Sequence, residues 1–119
     1  MKIAIPVEGD RAGARVCTSY GRAPFYLIHD TETKENQYVV NEAARQTGGA
    51  GIKAAQIVVD QGVDALLSPR LGQNAADVIQ AAGIAIFKTQ GDSVEENLRL
   101  HAQGRLEPLD EIHAGLHGN

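Results

Sequence analysis

Short apolar runs, bounded by polar and glycine-containing stretches, mark the first part of the chain as strand-forming. The polar segment 31–36 separates the last two runs and predicts an antiparallel hairpin. The predicted strands are residues 3–7, 25–30 and 37–41. Two long connections with glycines, residues 8–24 and 42–50, follow the first and third strands.

The second part of the chain changes to apolar residues three and four positions apart, the spacing of amphipathic helices. Two short strands, residues 65–68 and 84–88, are expected between these helices. Ser93 and Glu96 form a capping box that opens the third helix. The residues that carry the helical pattern are Ile52, Ala55, Val58 and Val59, then Ala75, Val78, Ile79 and Ala82, then Val94, Leu98 and Ala102. The glycines that end the helices are Gly62, Gly83 and Gly104.

This order of elements predicts one α/β domain over residues 1–106, and residues 107–119 are expected to form a partly ordered tail. The first long connection and the hairpin each reverse the chain once, and each later helix returns it. Four connections therefore gather at the carboxyl end of the sheet, where ligands bind in open α/β folds. The gathered connections are residues 8–24, 42–51, 69–73 and 89–93.

Composition excludes several classes of function. The net charge of −4 and the absence of Trp argue against nucleic-acid binding, which needs basic or stacking surfaces. One cysteine excludes an internal disulfide and a cysteine-only zinc site. No apolar run approaches the roughly 20 residues that span a membrane. The opening residues lead directly into a strand with no signal-peptide pattern, so we expect a cytoplasmic protein without membrane or nucleic-acid partners.

Charge is unevenly distributed between the gathered connections and the rest of the chain. The connections, together with Lys53 just after the second of them, carry six basic and four acidic residues, against five basic and eleven acidic elsewhere. A basic rim on an acidic protein attracts a small anion, although the same arginines can simply keep the surface soluble. The six basic residues are Arg11, Arg15, Arg22, Arg45, Lys53 and Arg70.

Two glycine-containing segments precede predicted helices. Gly48, Gly49 and Gly51 allow close approach of a ligand to backbone N–H groups, but the spacing is not that of a P-loop, and a simple helix entry fits as well. After the fourth strand, Gly72 and Asn74 offer the same alternatives. Asn74 either caps the helix or donates its amide to a bound anion.

Candidate metal ligands are few. Nearby arginines are expected to lower the pKa of Cys17 and favour a thiolate that binds soft metals, unless Cys17 simply packs under its loop. His113 and His117 stand four residues apart and could collect a metal ion, or lie in a solvated tail. His29 and His101 are expected to be a sheet-face residue and a helix-boundary residue. The sequence contains no nucleophile elbow, HExxH or CxxC motif, so we expect no enzymatic activity.

Five segments in matching order resemble the dinitrogenase iron–molybdenum cofactor biosynthesis family, the NifX, NafY and NifB C-terminal type of domain. The resemblance covers residues 1–106 and includes Gly21, Arg22 and Ala23. The segments are IAIPV at residues 3–7, YGRAPF at 20–25, GGAG at 48–51, LGQNA at 71–75 and SVEE at 93–96.

The resemblance implies a ribonuclease H-like three-layer fold, with a mixed five-stranded sheet in the order 3-2-1-4-5 and three helices. It also implies the carriage or insertion of metal–sulfur clusters, as in free-standing members of the molybdenum–copper orange-protein type, with a cluster donor or acceptor protein as a partner. Members often have a histidine, a candidate cluster ligand, where this chain has Ser19. Either Cys17 replaces that ligand, or arginines and N–H groups hold the cluster without a metal–protein bond; we expect the second.

The functional prediction is therefore a binding or carrier protein for an anionic molybdenum- or iron-containing sulfide cluster, with a molybdenum–copper sulfide as one possible form. The alternative is a regulatory module that binds a small molecule or phosphate through the same loops. The predicted site consists of Arg11, Arg15, Cys17, Ser19, Arg22, Gly48, Gly49, Gly51, Arg70, Gly72 and Asn74.

Overall fold

A computed structural model describes residues 1–45 and 48–109 of the chain. The strands are β1 (Lys2–Val7), β2 (Phe25–Asp30), β3 (Asn36–Val40), β4 (Ala65–Ser68) and β5 (Ala85–Lys88). The helices are α1 (Ala50–Asp60), α2 (Gln73–Ala81) and α3 (Val94–Ala102). A short 3-10 helix, Glu42–Arg45, was not predicted; it lies in the connection after β3.

The five strands form one mixed sheet in the order β3-β2-β1-β4-β5, which confirms the expected fold class. Strand β2 is antiparallel to β1 and β3, whereas β4 is parallel to both β1 and β5. Strands β1, β3, β4 and β5 therefore end at the same side of the molecule, as the sequence predicted. We call this side the loop end; its described residues are 8–24, 41–45, 48–51, 69–74 and 89–93.

Alternate residues of the central strand enter two separate cores. Ala4 belongs to the core beneath α1 and α2, whereas Ile3, Ile5 and Val7 belong to the core beneath α3. The two cores give the three-layer arrangement. Each fully buried aliphatic side chain of this size contributes about 1.5–3 kcal/mol to stability.

The inner side of α3 differs from the prediction. Asn97 and Leu100 are its buried residues, Val94 and Leu98 are half-buried, and Ala102 is exposed. Apolar spacing could not reveal this orientation, because the residue at the centre of the buried side is polar. Asn97 can be buried because hydrogen bonds satisfy its amide group.

After α3 the chain turns back along the free edge of β5. The N–H of Lys88 donates to the oxygen of Glu107 (2.8 Å), and the N–H of Leu109 donates to the oxygen of Ile86 (3.0 Å). Residues 110–119, with His113 and His117, lie outside the described residues, so the metal-binding prediction for these histidines stays untested. Within residues 1–45 and 48–109, every helix is too short or too polar to cross a membrane.

Candidate anion-binding site at the loop end

The first connection, residues 8–24, crosses the end of β1 and joins the segment before α3. The N–H of Cys17 donates to the oxygen of Pro6 (2.8 Å), and the N–H of Val16 donates to the oxygen of Asp92 (2.9 Å). These bonds hold the connection against the sheet.

Asn41 organises the part of the loop end nearest α1. Its side chain is buried, and its Nδ2 donates to the oxygens of Gly21 (3.1 Å) and Ala23 (2.8 Å) and to the Tyr26 hydroxyl (3.2 Å). Its Oδ1 accepts from the N–H of Ala43 at 3.0 Å. One amide therefore fixes both the Gly21–Ala23 turn and the start of the 3-10 helix.

Two buried tyrosines extend this network to α1. The Tyr26 hydroxyl donates to the oxygen of Tyr20 (2.6 Å), and the Tyr20 hydroxyl donates to the oxygen of Ala54 in α1 (3.0 Å). Burial raises the pKa of both tyrosines above their ordinary value. Both phenols therefore stay protonated at neutral pH and act as structural groups.

Asn97 has the same role beside α3. It is fully buried; its Oδ1 accepts from the N–H of Gln90 (2.7 Å), and its Nδ2 donates to the oxygens of Gln90 (3.1 Å), Gly91 (3.3 Å) and Ser93 (2.8 Å). The Ser93 hydroxyl accepts from the N–H of Glu96 at 3.1 Å, which confirms the predicted cap. The roles of Asn41 and Asn97 were not predicted; the one signal for them in the sequence is an asparagine that interrupts an apolar pattern.

Helices α1 and α2 begin without side-chain caps. Their N-cap residues are Gly49, with φ 69°, and Gly72, with φ −77° and ψ 160°. The prediction that Asn74 caps α2 is wrong, because Asn74 lies inside the first turn and is exposed. Among the residues that the structure describes, no side chain accepts from the first N–H groups of either helix, and these groups point out at the loop end with the positive ends of the helix dipoles.

Close packing brings these two helix starts together. A Cβ atom added to Gly51 would lie 3.9 Å from the Cβ of Ala75, and one added to Gly21 would lie 3.7 Å from the Cα of Gly51. By contrast, added Cβ atoms at Gly48, Gly49 and Gly72 meet no atom within 4 Å. These three glycines therefore face open space beside the helix starts, where a ligand can approach the backbone.

The predicted arginines divide between two sides of the loop end. Arg22 donates from a guanidinium nitrogen to the oxygen of Ala44 (2.9 Å), and exposed Arg70 stands two residues before the Gly72 N-cap. Arg15 pairs with Asp92 (Nε to Oδ2, 3.7 Å) on the α3 side. Arg11 and Arg15 line a cavity there of about 580 Å³.

Acidic side chains offset the charge on the α3 side. The cavity that contains Arg11 and Arg15 is also lined by Asp92 and Glu95. A neighbouring open pocket of about 440 Å³, between residues 16–18 and 89–92, contains Asp92 and no basic side chain. An anion is therefore favoured at the starts of α1 and α2, beside Arg22 and Arg70.

Cys17 does not have the predicted thiolate character. Its side chain is 7% exposed, and its Sγ donates to the oxygen of Ser19 at 3.5 Å. Burial raises the pKa of the thiol, and the nearby Glu8 carboxylate adds to the increase. The expectation of a lowered pKa is wrong, because burial of the Cys17 thiol outweighs any effect of the solvent-exposed arginines.

A model of the dinitrogenase iron–molybdenum cofactor family matches residues 1–104. The chain belongs to this family. Relatives include an uncharacterized protein of Methanocaldococcus jannaschii, 27% identical over 113 residues, with 92% of each chain covered. The apo form of the orange protein from Desulfovibrio gigas is 30% identical, with a TM-score of 0.86 and 92% of each chain covered. A protein assigned as NifB from Thermotoga is 32% identical, with a TM-score of 0.81 over 93% of this chain and 95% of that one.

Membership of the dinitrogenase iron–molybdenum cofactor family connects the chain with metal-cofactor assembly or carriage. The side chains and N–H groups at the loop end indicate how such a cofactor could be held. Across the part of the chain that the structure describes, no three His, Cys, Asp or Glu side chains lie close enough to hold a metal ion. One buried, protonated thiol cannot complete a coordination sphere. The donor set consists of N–H groups and guanidinium groups, which suit an anion held by hydrogen bonds.

Proposed function

We propose that the protein is a cytoplasmic binding and carrier protein for an anionic metal–sulfur cluster that contains molybdenum or iron. A molybdenum–copper sulfide is one form of such a cargo. The observation that carries the proposal is the pair of adjacent helix starts, at Gly49 and Gly72, that lack side-chain caps and lie beside Arg22 and Arg70. Family membership supplies the class of cargo.

Hydrogen bonding explains how this site can hold such an anion. Sulfide atoms at the surface of a thiometalate are acceptors, and the open N–H groups of α1 and α2 are donors of fixed direction. Each charge-assisted hydrogen bond contributes about 1.5–3 kcal/mol, and the helix dipoles favour negative charge at the same place. Several such bonds give substantial affinity without a metal–protein bond.

A cargo held in this way can leave without breaking a coordination bond. Release then depends only on replacing N–H and guanidinium donors by those of another protein or by water. This property suits a carrier that receives its cluster from a donor protein and passes it to an acceptor. The partly exposed arginines make the affinity sensitive to salt, because charges there are screened over about 8–10 Å.

The test is titration of the apoprotein with tetrathiomolybdate under anaerobic conditions, with and without copper(I), followed by gel filtration. We expect a visible-absorbing species that co-elutes with the protein and is lost in high salt. Inorganic phosphate and nucleotides serve as comparison anions in calorimetry. A colourless protein fraction, together with heat released only by phosphate or nucleotides, would replace the carrier with the regulatory binding module.

A further inference from the structure

A second cavity lies at the other end of the molecule, remote from the loop end. It has a volume of about 430 Å³ and opens between the last half of α3, the start of β1 and the β2–β3 turn. We call it the basal cavity. Its basic lining residues are His29, Lys34, Arg99 and His101, and Ile3 and Leu98 supply apolar surface.

The basal cavity is positive although the chain carries a net charge of −4. No acidic side chain is among its lining residues. Two of its cationic groups have carboxylate partners that lie outside the lining: Arg99 pairs with Glu96, and the amino terminus of Met1 stands 3.8 Å from Glu32. Asp30 accepts from the N–H groups of Glu32 (2.8 Å) and Thr33 (3.3 Å).

Lys34 occupies an unusual backbone conformation. Its φ is 66°, and the other described residues with positive φ are all glycines. A lysine pays a steric cost there that glycine or asparagine avoids, and such strain is concentrated at functional positions. At residue 34 the chain therefore keeps an ammonium group at the basal cavity at the expense of stability.

The two histidines are held in place by contacts outside the cavity. His29 Nδ1 lies 2.7 Å from Asn36 Oδ1, and the His101 ring meets Phe87 edge-on at 5.0 Å. Burial lowers the pKa of His101, so its ring is neutral at neutral pH and can take up a proton when an anion arrives. The cavity thus has a permanent positive charge on Lys34, a guanidinium on Arg99 that Glu96 already pairs with, and a ring on His101 that can become charged.

We propose that the basal cavity binds a small organic anion, with a carboxylate or phosphate group near Lys34 and Arg99 and an apolar body against Ile3 and Leu98. The volume lies within the range of about 300–1,000 Å³ that is typical of small-molecule sites. This site is separate from the loop end and does not depend on the proposed cluster.

Phenyl phosphate is a suitable probe, because it combines a phosphate with an apolar ring. In an NMR titration of the full chain, we expect saturable shifts of the His29 and His101 ring signals and of the Lys34 amide. Inorganic phosphate, which lacks the ring, and benzyl alcohol, which lacks the charge, should each bind at least about tenfold more weakly.

Lys34→Gly separates binding from folding. Glycine relieves the positive φ, so the unfolding temperature should rise, while the loss of one charged donor should weaken phenyl phosphate binding about tenfold. Lys34→Asn should give the same pair of changes, and Lys53→Gln, which removes one positive charge on α1, should leave binding unchanged. The proposal is overturned by unchanged affinity in Lys34→Gly, by shifts confined to the Gly48, Gly49 and Gly72 amides, or by no saturation up to about 10 mM.

Discussion

The loop end has two sides, one beside α1 and α2 and one beside α3. A buried asparagine organises each side, but the adjoining helices begin differently. Asn41 beside α1 and Asn97 beside α3 are both buried, and each satisfies its amide with four hydrogen bonds. Both loops are therefore rigidly placed. Rigid loops reduce the entropy that a ligand must remove on binding.

The difference lies in how the adjoining helices begin. The Ser93 side chain caps α3, whereas α1 and α2 begin at glycines, and no described side chain accepts from their first N–H groups. A capping side chain such as Ser or Asp in place of these glycines would stabilise each helix by about a few tenths of a kcal/mol and would occupy the open N–H groups. Rigidity alone therefore does not make the site: of the three described helix starts, those of α1 and α2 leave N–H donors open, and that of α3 does not.

The largest effect should come from breaking the two asparagine networks. Asn41→Ala and Asn97→Ala should each lower the free energy of unfolding by about 2–4 kcal/mol, because buried N–H and carbonyl groups lose their partners. Urea unfolding measures this loss. Where both variants remain folded, only Asn41→Ala should also weaken thiomolybdate binding, since it releases the Gly21–Ala23 turn. Equal weakening by both would show that the two sides do not differ in function.

Removing two arginines at a time from either side of the loop end shows which side binds the anion. The double variant Arg22→Ala/Arg70→Ala should reduce thiomolybdate affinity by about 3 kcal/mol or more, the sum of two charge-assisted bonds. The matched double variant Arg11→Ala/Arg15→Ala removes the same charge from the α3 side and should cost less than about 1 kcal/mol, because that contribution is screened and long-range. Calorimetry at low salt compares them, and the reverse order would move the site to the α3 side.

Adding a capping side chain to α2 should weaken thiomolybdate binding and increase the stability of the fold. Gly72 has an extended conformation that any residue can adopt, and nothing lies within 4 Å of an added Cβ atom. Gly72→Asp should therefore stabilise the fold by about 0.5–1 kcal/mol while its carboxylate occupies the open N–H groups and repels the cluster. Gly72→Asn, the uncharged control, should stabilise similarly and weaken binding less. A Gly72→Asp protein with full thiomolybdate affinity would rule out the α2 start as part of the site.

The smallest effect is expected at Cys17. Cys17→Ser should change cluster binding little, because the buried thiol is protonated and already donates to Ser19. Gel filtration with the visible-absorbing complex provides the measurement. Loss of the cluster in Cys17→Ser, with retention in high salt by the Arg22→Ala/Arg70→Ala variant, would demonstrate direct sulfur ligation instead.

Local patterns predicted most of the fold. The bounds of β2 and β4 agree with the sequence to the residue, and Ser93 caps α3 as expected. The site was predicted only in part. Its glycines and arginines stand in recognisable segments. Their division into two sides and the raised pKa of Cys17 depend on contacts between residues far apart in the sequence, which local patterns do not reveal.

The positions of the strands and helices, and the connections that share one end, follow from the sequence, because periodicity and chain reversal are local properties. Which polar groups have hydrogen-bond partners depends on the folded arrangement. The Asn41 Nδ2 group finds its acceptors 15 to 20 residues back along the chain, and the basal cavity joins His29 and Lys34 to Arg99 and His101. In the sequence, the basic residues of the basal cavity are scattered through the part of the chain that is acidic overall. Burial, electric field and hydrogen bonding act through space, so only folding can assemble them.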